Sequence, residues 1–518
     1  MSASTEKKNR QAARQAGTDK KMLAAQEAAK KQAQSRRRWT IGSVLVILLI
    51  AAILFLNSGY LYSSTSALSI GDRKYSPAEV NYNYAAEYMN FANQYGSYAS
   101  IFGLDTSGGL AGLDSQSCPM LEDGSWKDYF LESAESSMLR VKALTDYAAA
   151  NGIALDDEEI AQVDEGFAGL DDYAKSLGYS NANGLLAANY GNGVNQKLVR
   201  SAQLESTLAN KAYQHVLDSF TYSDAELEDY YTSLDGSSDM FSYAYYRILA
   251  ETVEQAGTDG ESTQAPTEET LQAAKAEAEA IVQAYQDGEG EDALARFQQA
   301  VAQQTDGEGS AQSSRSAGSS LNSAYQSWLM DTRSEGDLTM VEDGSDTGYY
   351  VVLYLERDDN HYPVAQVRHI LVKAEADENG NYSEQAKADA KARAEEILAE
   401  WEAGDRSEES FANLAEVYSE DGGSNMQGGL YDSVAKGQMV GEFDAFCFAD
   451  HKSGDTGIVY GESSSYAGYH VMYYVGQGDL YSQVIARNDL NSEAIEAWMN
   501  EQLENYEAHR GFWHKLVG

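Results

Sequence analysis

The chain has 518 residues, which at about 150 residues per domain leaves room for three or four domains. Hydrophobic residues make up 43% and charged residues 23%, which excludes a wholly disordered chain, and two cysteines exclude a disulfide scaffold or a Cys-rich zinc module. Lys+Arg 37 against Asp+Glu 81 gives a net charge of −44, so the bulk of the surface repels nucleic acid and anionic lipid headgroups.

The charge is unevenly divided. Residues 1–40 carry eleven Lys/Arg and three acids, a net +8, which leaves −52 for the remainder. A basic tail over 1–38 therefore precedes an acidic body, and the contrast implies two compartments. Between them, Ile41 to Leu56 is an uncharged and mostly apolar run, and no charge falls from Trp39 to Gly71. The segment 39–62 reads as a transmembrane helix, with Trp39 at one interface and Tyr60 and Tyr62 at the other. Arg36, Arg37 and Arg38 immediately before it place the N-terminus in the cytoplasm and the bulk of the chain outside a single-pass cell-membrane anchor. A cleaved signal peptide is the rival reading. It would need a basic region of about forty residues, and the A-x-A-like site Thr65-Ser66-Ala67 lies well past the apolar run.

Residues 66–235 read as mostly helical. A short strand-like stretch leads to Ser76, an N-cap with Pro77 at the first helical position and Glu79 completing a capping box. Phe130, Ala134, Met138, Val141 and Leu144 recur at helical spacing and end at Asn151-Gly152, a C-cap signal. A further helix follows at LDDEEIAQVDEGF, and another opens at Ser223. Such stripes bury themselves in a bundle core.

Two later segments resemble each other, which marks an internal repeat. The pairs are YAYYRILAE (243–251) with AQVRHILVK (365–373), LQAAKAEAEAIVQAYQDG with KADAKARAEEILAEWEAG, FQQAVAQQTDGEG with FANLAEVYSEDGG, and TGYYVVLYL with AGYHVMYYV. Each copy reads β-α-α-α-β-β, an α+β pattern. Their spans are 240–358 and 363–478. Stretches 254–268 and 305–320 in the first copy read as flexible surface insertions, and 483–518 as one more helix ending in Phe512-Trp513.

The second copy carries chemistry that the first lacks. It has His369 where the alignment puts Arg247, and His470 where it puts Tyr350. Asp421 follows the Phe-led helix, inside DGGSNMQGGL, and GQMVGEF supplies Met439 and Phe443. Asp306 roughly matches Asp421 in the first copy. No third ligand at suitable spacing accompanies the histidines, so no metal is expected, and no cofactor motif is present. Cys447, in the apolar FDAFCF, reads as a buried thiol.

These motifs, RHILV, YSEDGGSNMQGGL, GQM…F and the Gly-aromatic-His end, resemble the parvulin (PpiC-type) peptidyl-prolyl isomerases over roughly 365–477. The resemblance implies that His369 and His470 are the two central histidines on neighbouring strands, and that Asp421 fills the family's Cys/Asp position. It implies that Leu430, Met439 and Phe443 grip the proline ring, and that Ser465 is the hydroxyl five residues before the second histidine. The family's Gly-x-Phe reads Tyr431-Asp432-Ser433-Val434 here, so Val434 stands in for a pocket aromatic. Asp421 either faces the substrate carbonyl or orients a histidine. The wider layout resembles the extracytoplasmic foldases of the PrsA, SurA and PpiD kind. This implies a multidomain chain: a transmembrane helix, a helical chaperone domain, two α+β parvulin-like domains with the first degenerate, and a C-terminal helix packing on the chaperone part. The implied function is a membrane-anchored isomerase and chaperone for unfolded or nascent secreted polypeptides with X-Pro bonds. The alternative is a non-catalytic holdase or scaffold.

Overall fold

A computed structural model describes residues 3–16, 31, 39, 40, 42–50, 59–256, 262–378 and 380–518. Ile41 and residues 51–58 of the expected membrane span lie outside these. Among the described residues no helix is long and apolar enough to cross a membrane. The chain divides into two compact units, residues 1–220 with 493–518, and residues 221–492.

The first unit is helical around a small sheet. The capping box at Ser76 forms as the sequence predicts: Ser76 Oγ caps the Glu79 amide, and Glu79 reaches back to the Ser76 amide at 2.7 Å. The helix Pro77–Tyr95 packs with Trp126–Asn151, which ends at Gly152 in the left-handed conformation. Their buried faces meet through Val80, Tyr84, Trp126, Phe130 and Met138. Strands β1 (Leu68–Ile70) and β2 (Arg73–Tyr75) form a hairpin. The C-terminal end corrects the expectation of a helix running to Trp513. The helix Tyr481–Leu503 stops, and Ala508–Arg510 instead pairs antiparallel with β1, Leu68 opposite Arg510. Val517 then inserts into the same core. Backbone pairing on the open edge of β1 satisfies groups that a continued helix would leave exposed.

The second unit holds both repeat copies. The first comprises β3 (Met240–Leu249), β4 (Thr252–Ala256), β5 (Ser262–Pro266), helices Glu268–Asp287 and Ala293–Gln304, β6 (Gln312–Ala317), a short helix Gln326–Met330, β7 (Leu338–Glu342) and β8 (Gly348–Asp358). The second comprises β9 (Pro363–Lys373), helices Glu384–Ala403 and Glu408–Tyr418, β10 (Leu430–Val434), helix Gly441–Cys447, β11 (Thr456–Glu462) and β12 (Ala467–Leu480). The antiparallel sheets run β6-β3-β8-β7 and β10-β9-β12-β11, the same order in each copy. In the second copy one sheet face packs on the two long helices through Ile370, Val372, Val471, Ile397 and Phe411. The other face packs on Gly441–Cys447 through Val367, Met472, Phe443 and Phe446.

Two stretches read as flexible insertions contain strands among their described residues. Residues 312–317 are edge strand β6, laddered onto β3 from Ala317 opposite Met240 to Gln312 opposite Tyr245. Within 254–268, β4 and β5 make a hairpin, with Glu254 opposite Gln264. Serine- and glutamine-rich composition hides an edge strand because only one ladder, and no apolar face, demands it.

Candidate active site

Strands β9 and β12 are neighbours, with His369 opposite Met472 and Leu371 opposite His470. The two histidines are therefore two register steps apart and share one face, since strand side chains alternate. Their Nδ1 atoms lie 3.0 Å apart. Both rings are buried, 2% and 4% exposed. The end of helix Glu408–Tyr418 is tied to β9: the Leu371 amide donates to Ser419 Oγ at 3.1 Å, and the Glu420 amide to the Leu371 carbonyl at 2.9 Å. That anchor delivers Asp421, whose Oδ2 lies 2.9 Å from His369 Nε2.

Asp421 is saturated with donors. Its Oδ2 also accepts from Ser424 Oγ at 2.6 Å and Tyr431 OH at 3.0 Å, and Oδ1 accepts the Gly423 amide at 3.2 Å. The His369 hydrogen bond leads in holding its carboxyl well below the usual range, against burial, with Ser424 and Gly423 adding to it. Of the two roles left open for Asp421, the geometry is that of a group orienting a histidine. Burial, then the adjacent His369, lowers His470 to about 3, so this ring is neutral at ordinary pH. Burial and the Asp421 charge push the Tyr431 phenol up to about 12.

Around the pair stand aromatic rings. Phe443 lies edge-on to both histidines, with centroids 5.4 and 5.2 Å away, and Tyr431 is 5.2 Å from His369. Val434, Phe443 and half-buried Met439 belong to the same apolar cluster. Leu430 does not join them. It pairs with Arg368 and lies outside that cluster; Tyr431, one position on, turns to the histidine face instead. The register shift between Tyr431 and Val434 then returns Val434 to the same side. Ser465 is exposed, its Oγ on Ser463 Oγ at 3.1 Å, and is not brought to the pair. The hydroxyl that reaches His470 Nε2, at 3.0 Å, belongs to Tyr466. Sequence reasoning missed Ser424 and Tyr466, and assigned Tyr431 no role. A signal was present for Ser424, which directly follows the Asx turn that Asp421 closes on the Gly423 amide two residues on.

The first copy shows what the site looks like without histidines. Matching bulges fix the correspondence: Tyr243 opposite Tyr354 matches Val367 opposite Tyr474. Tyr245, not Arg247, thus occupies the place of His369, and Tyr350 that of His470. The two tyrosine rings lie 6.0 Å apart. Arg247 instead pairs with Asp343 at 2.9 Å. Asp306 is exposed in the left-handed conformation, with no counterpart of the Asp421 network.

Residues 349–475 match the model of the PPIC-type PPIASE domain. Within that match, the second copy forms a PPIC-type domain. A curated relative, the chaperone SurA of Alkalilimnicola ehrlichii, is 30% identical over 161 residues, covering 28% of this chain and 35% of that protein. The chain thus spans about a third of the length of that relative. Among solved structures, the peptidylprolyl isomerase PrsA from Bacillus anthracis is 26% identical, covering 28% of this chain and 59% of that one, with a TM-score of 0.18. PrsA from Bacillus subtilis is 12% identical, covering 76% of this chain and 91% of that one, with a TM-score of 0.24.

The PPIC-type domain places two imidazoles, that of His470 held neutral, a fixed carboxylate and a set of apolar side chains on one sheet face. Among the described residues it presents no activated nucleophile there. Cys447, its one thiol, is buried and pushed up to about 12 by that burial. Such a site suits a reaction that makes and breaks no covalent bond.

Proposed function

We propose that the chain is a membrane-anchored peptidyl-prolyl cis-trans isomerase and chaperone for unfolded or nascent secreted polypeptides. The observation that carries the enzymatic half is the 3.0 Å Nδ1–Nδ1 contact of His369 with His470 beside Phe443. A peptide bond resists rotation by about 18–20 kcal/mol because of its double-bond character. An X-Pro bond isomerises unaided in about 10–100 s. Twisting the bond removes conjugation and makes the amide less polar, so a dry, uncharged surface favours the twisted form over the planar one. Met439, Val434 and Phe443 supply the apolar contact. The imidazole pair supplies hydrogen-bonding groups that need not reorganise as the carbonyl turns.

Asp421, in this reading, holds His369 rather than touching substrate. The anchoring half is supported by the sequence: the uncharged run 39–71 behind Arg36, Arg37 and Arg38, with the N-terminus cytoplasmic and the body extracytoplasmic. The first unit and the histidine-free copy would hold unfolded client chains.

The test is exchange spectroscopy on a proline peptide with the purified full chain. Wild type should accelerate exchange, and His470→Ala and Asp421→Asn should lower kcat/KM by about ten-fold or more, as loss of a buried hydrogen-bonded group implies. Equal rates in all three would sink the isomerase. A second reading, the non-catalytic holdase, is favoured by one observation: His369, His470 and Phe443 are each 4% exposed or less. It predicts suppression of client aggregation with no acceleration of exchange.

A further inference from the structure

We propose that Tyr466 is the positioning residue of the histidine pair: its hydroxyl donates to His470 Nε2 and fixes which nitrogen of each ring carries the proton. The proton arrangement stands on geometry alone; only its effect on rate rests on the isomerase reading.

The chain of contacts runs Tyr466 OH to His470 Nε2 at 3.0 Å, His470 Nδ1 to His369 Nδ1 at 3.0 Å, and His369 Nε2 to Asp421 Oδ2 at 2.9 Å. An ionised carboxylate only accepts, so the far end of the chain is fixed: His369 Nε2 carries the hydrogen. The Nδ1–Nδ1 contact needs one hydrogen and one lone pair, and the Asp421 end alone leaves open which ring supplies which. A Tyr466 hydroxyl that donates to Nε2 makes that nitrogen the acceptor, so His470 carries its hydrogen on Nδ1 and His369 offers the lone pair. This assignment satisfies every group, and it is directional, phenol to imidazole to imidazole to carboxylate.

Without the hydroxyl, a buried ring nitrogen has no donor, and nothing at that end distinguishes the two tautomers of His470. The surroundings are shaped for this contact. The Tyr466 ring stands nearly perpendicular to His470, with centroids 5.8 Å apart. The facing strand β11 carries Gly461, where a Cβ would come within 2.5 Å of His470 Nε2. Ser465, the hydroxyl that the motif comparison favours, is engaged with Ser463. In the first copy, where Tyr350 matches His470, the position matching Tyr466 is Asp346, so ring and hydroxyl are lost together with the histidines.

The experiment uses the full chain with nitrogen-15 histidine, its seven histidines assigned by single His→Gln variants. Wild type should show His470 protonated at Nδ1 and unprotonated at Nε2. Tyr466→Phe, which keeps the ring, should give averaged tautomer shifts. It should also lower kcat/KM about five-fold, the effect of one net hydrogen bond, with peptide affinity within about two-fold of wild type. Ser465→Ala should change none of these. Should Tyr466→Phe retain the single Nδ1–H tautomer, the proposal is overturned whatever its rate. A thermal melt matching wild type separates this from misfolding, and hydrogen exchange of β12 serves as a second check that the sheet is intact. A wild-type chain with the expected tautomer but no isomerisation would overturn the isomerase reading while supporting the role of Tyr466.

Discussion

Arg510 forks onto Glu135 across 375 positions of sequence, Nε to Oε1 at 2.7 Å and Nη2 to Oε2 at 3.1 Å. His514 Nε2 meets the same Oε1 at 3.1 Å. Glu135 is buried on the helix Trp126–Asn151, so the C-terminal segment ends on a charge that it must neutralise. Removing Glu135 takes the shared acceptor from both Arg510 and His514, whereas removing Arg510 leaves Glu135 with His514 alone. Glu135→Ala should cost about 2 kcal/mol, less than a fully buried pair because Arg510 is half exposed. Burial opposes ionisation of Glu135, but the hydrogen bonds from His514 and Arg510 prevail and lower its pKa. A lowered carboxylate stabilises fully above its unfolded value, here near 4.5, and its contribution is lost as pH falls through the folded one. The check is hydrogen exchange of Leu68–Ile70 and Ala508–Arg510. Wild type should lose protection of that pairing below about pH 4.5. Glu135→Ala should show weak protection already at pH 7.

His470 gives the second unit an acid limb of different origin. Its folded value of about 3 lies below the ordinary 6.5. The unfolded chain therefore binds a proton in that window while the folded one does not. Stability falls as pH drops from about 6.5 towards 3, by up to about 1.4 kcal/mol per pH unit. His470→Gln keeps a polar side chain without that titration and should flatten the slope. Urea unfolding at pH 6, 5 and 4, followed by exchange protection of β9 and β12, measures it. Parallel slopes in the two proteins would refute the assignment of His470 as a buried neutral ring.

How much of this was legible depends on what kind of information fixes each feature. Ser76 with Glu79 was readable because a capping box closes within four residues. The histidine pair was readable because short motifs surround both rings. The offset between the copies was not. Sliding Arg247 onto His369 errs by two residues, and a two-residue slide leaves every side chain on its own face. Alternation of apolar and polar residues is blind to it; only strand pairing, Tyr350 opposite Arg247 and His470 opposite Leu371, reveals it. Ala508–Arg510 escaped for another reason. Three residues carry no period, and their partner strand is at the other end of the chain.

The first copy touches the PPIC-type domain at the loop between Val434 and Met439. Arg315 on β6 donates from Nη1 to the Lys436 carbonyl at 3.1 Å and from Nη2 to Asp358 at 3.2 Å. The Lys436 amide donates to Tyr362 OH at 3.0 Å. A histidine-free copy thus braces a loop whose two ends carry apolar site residues. Arg315→Ala should free that loop, weakening proline-peptide binding by about three- to five-fold, as loss of one hydrogen bond implies, with kcat nearly unchanged. Titration of the peptide, together with exchange rates over 435–440, checks both parts. Unchanged affinity with a faster-exchanging loop would show that the brace does not reach the site.

Two glycines test the packing of the histidine site against each other. At Gly461 an added Cβ would lie 2.5 Å from His470 Nε2, 2.9 Å from its Cδ2 and 3.0 Å from Val440 Cγ2. Its φ lies outside the left-handed range, so alanine brings no backbone penalty and the conflict is chiefly with the ring, with Val440 as a lesser contact. His470 cannot yield towards β9 without closing on His369, already at hydrogen-bond distance, nor keep its bond to Tyr466 if it rotates. Gly461→Ala should therefore destabilise by about 1–3 kcal/mol, the range for overpacking a core. It should also disturb the His470 tautomer and depress kcat/KM. Gly441, first residue of the helix beneath the site, has nothing within 4 Å of its added Cβ. Gly441→Ala should melt at or above the wild-type temperature with its rate intact, because alanine orders the unfolded chain and meets no neighbour. Melting curves and exchange spectroscopy on both variants decide the matter. If the two alanines behaved alike, the space beside His470 would be looser than these distances state, and the fixed ring on which catalysis is argued would lose its support.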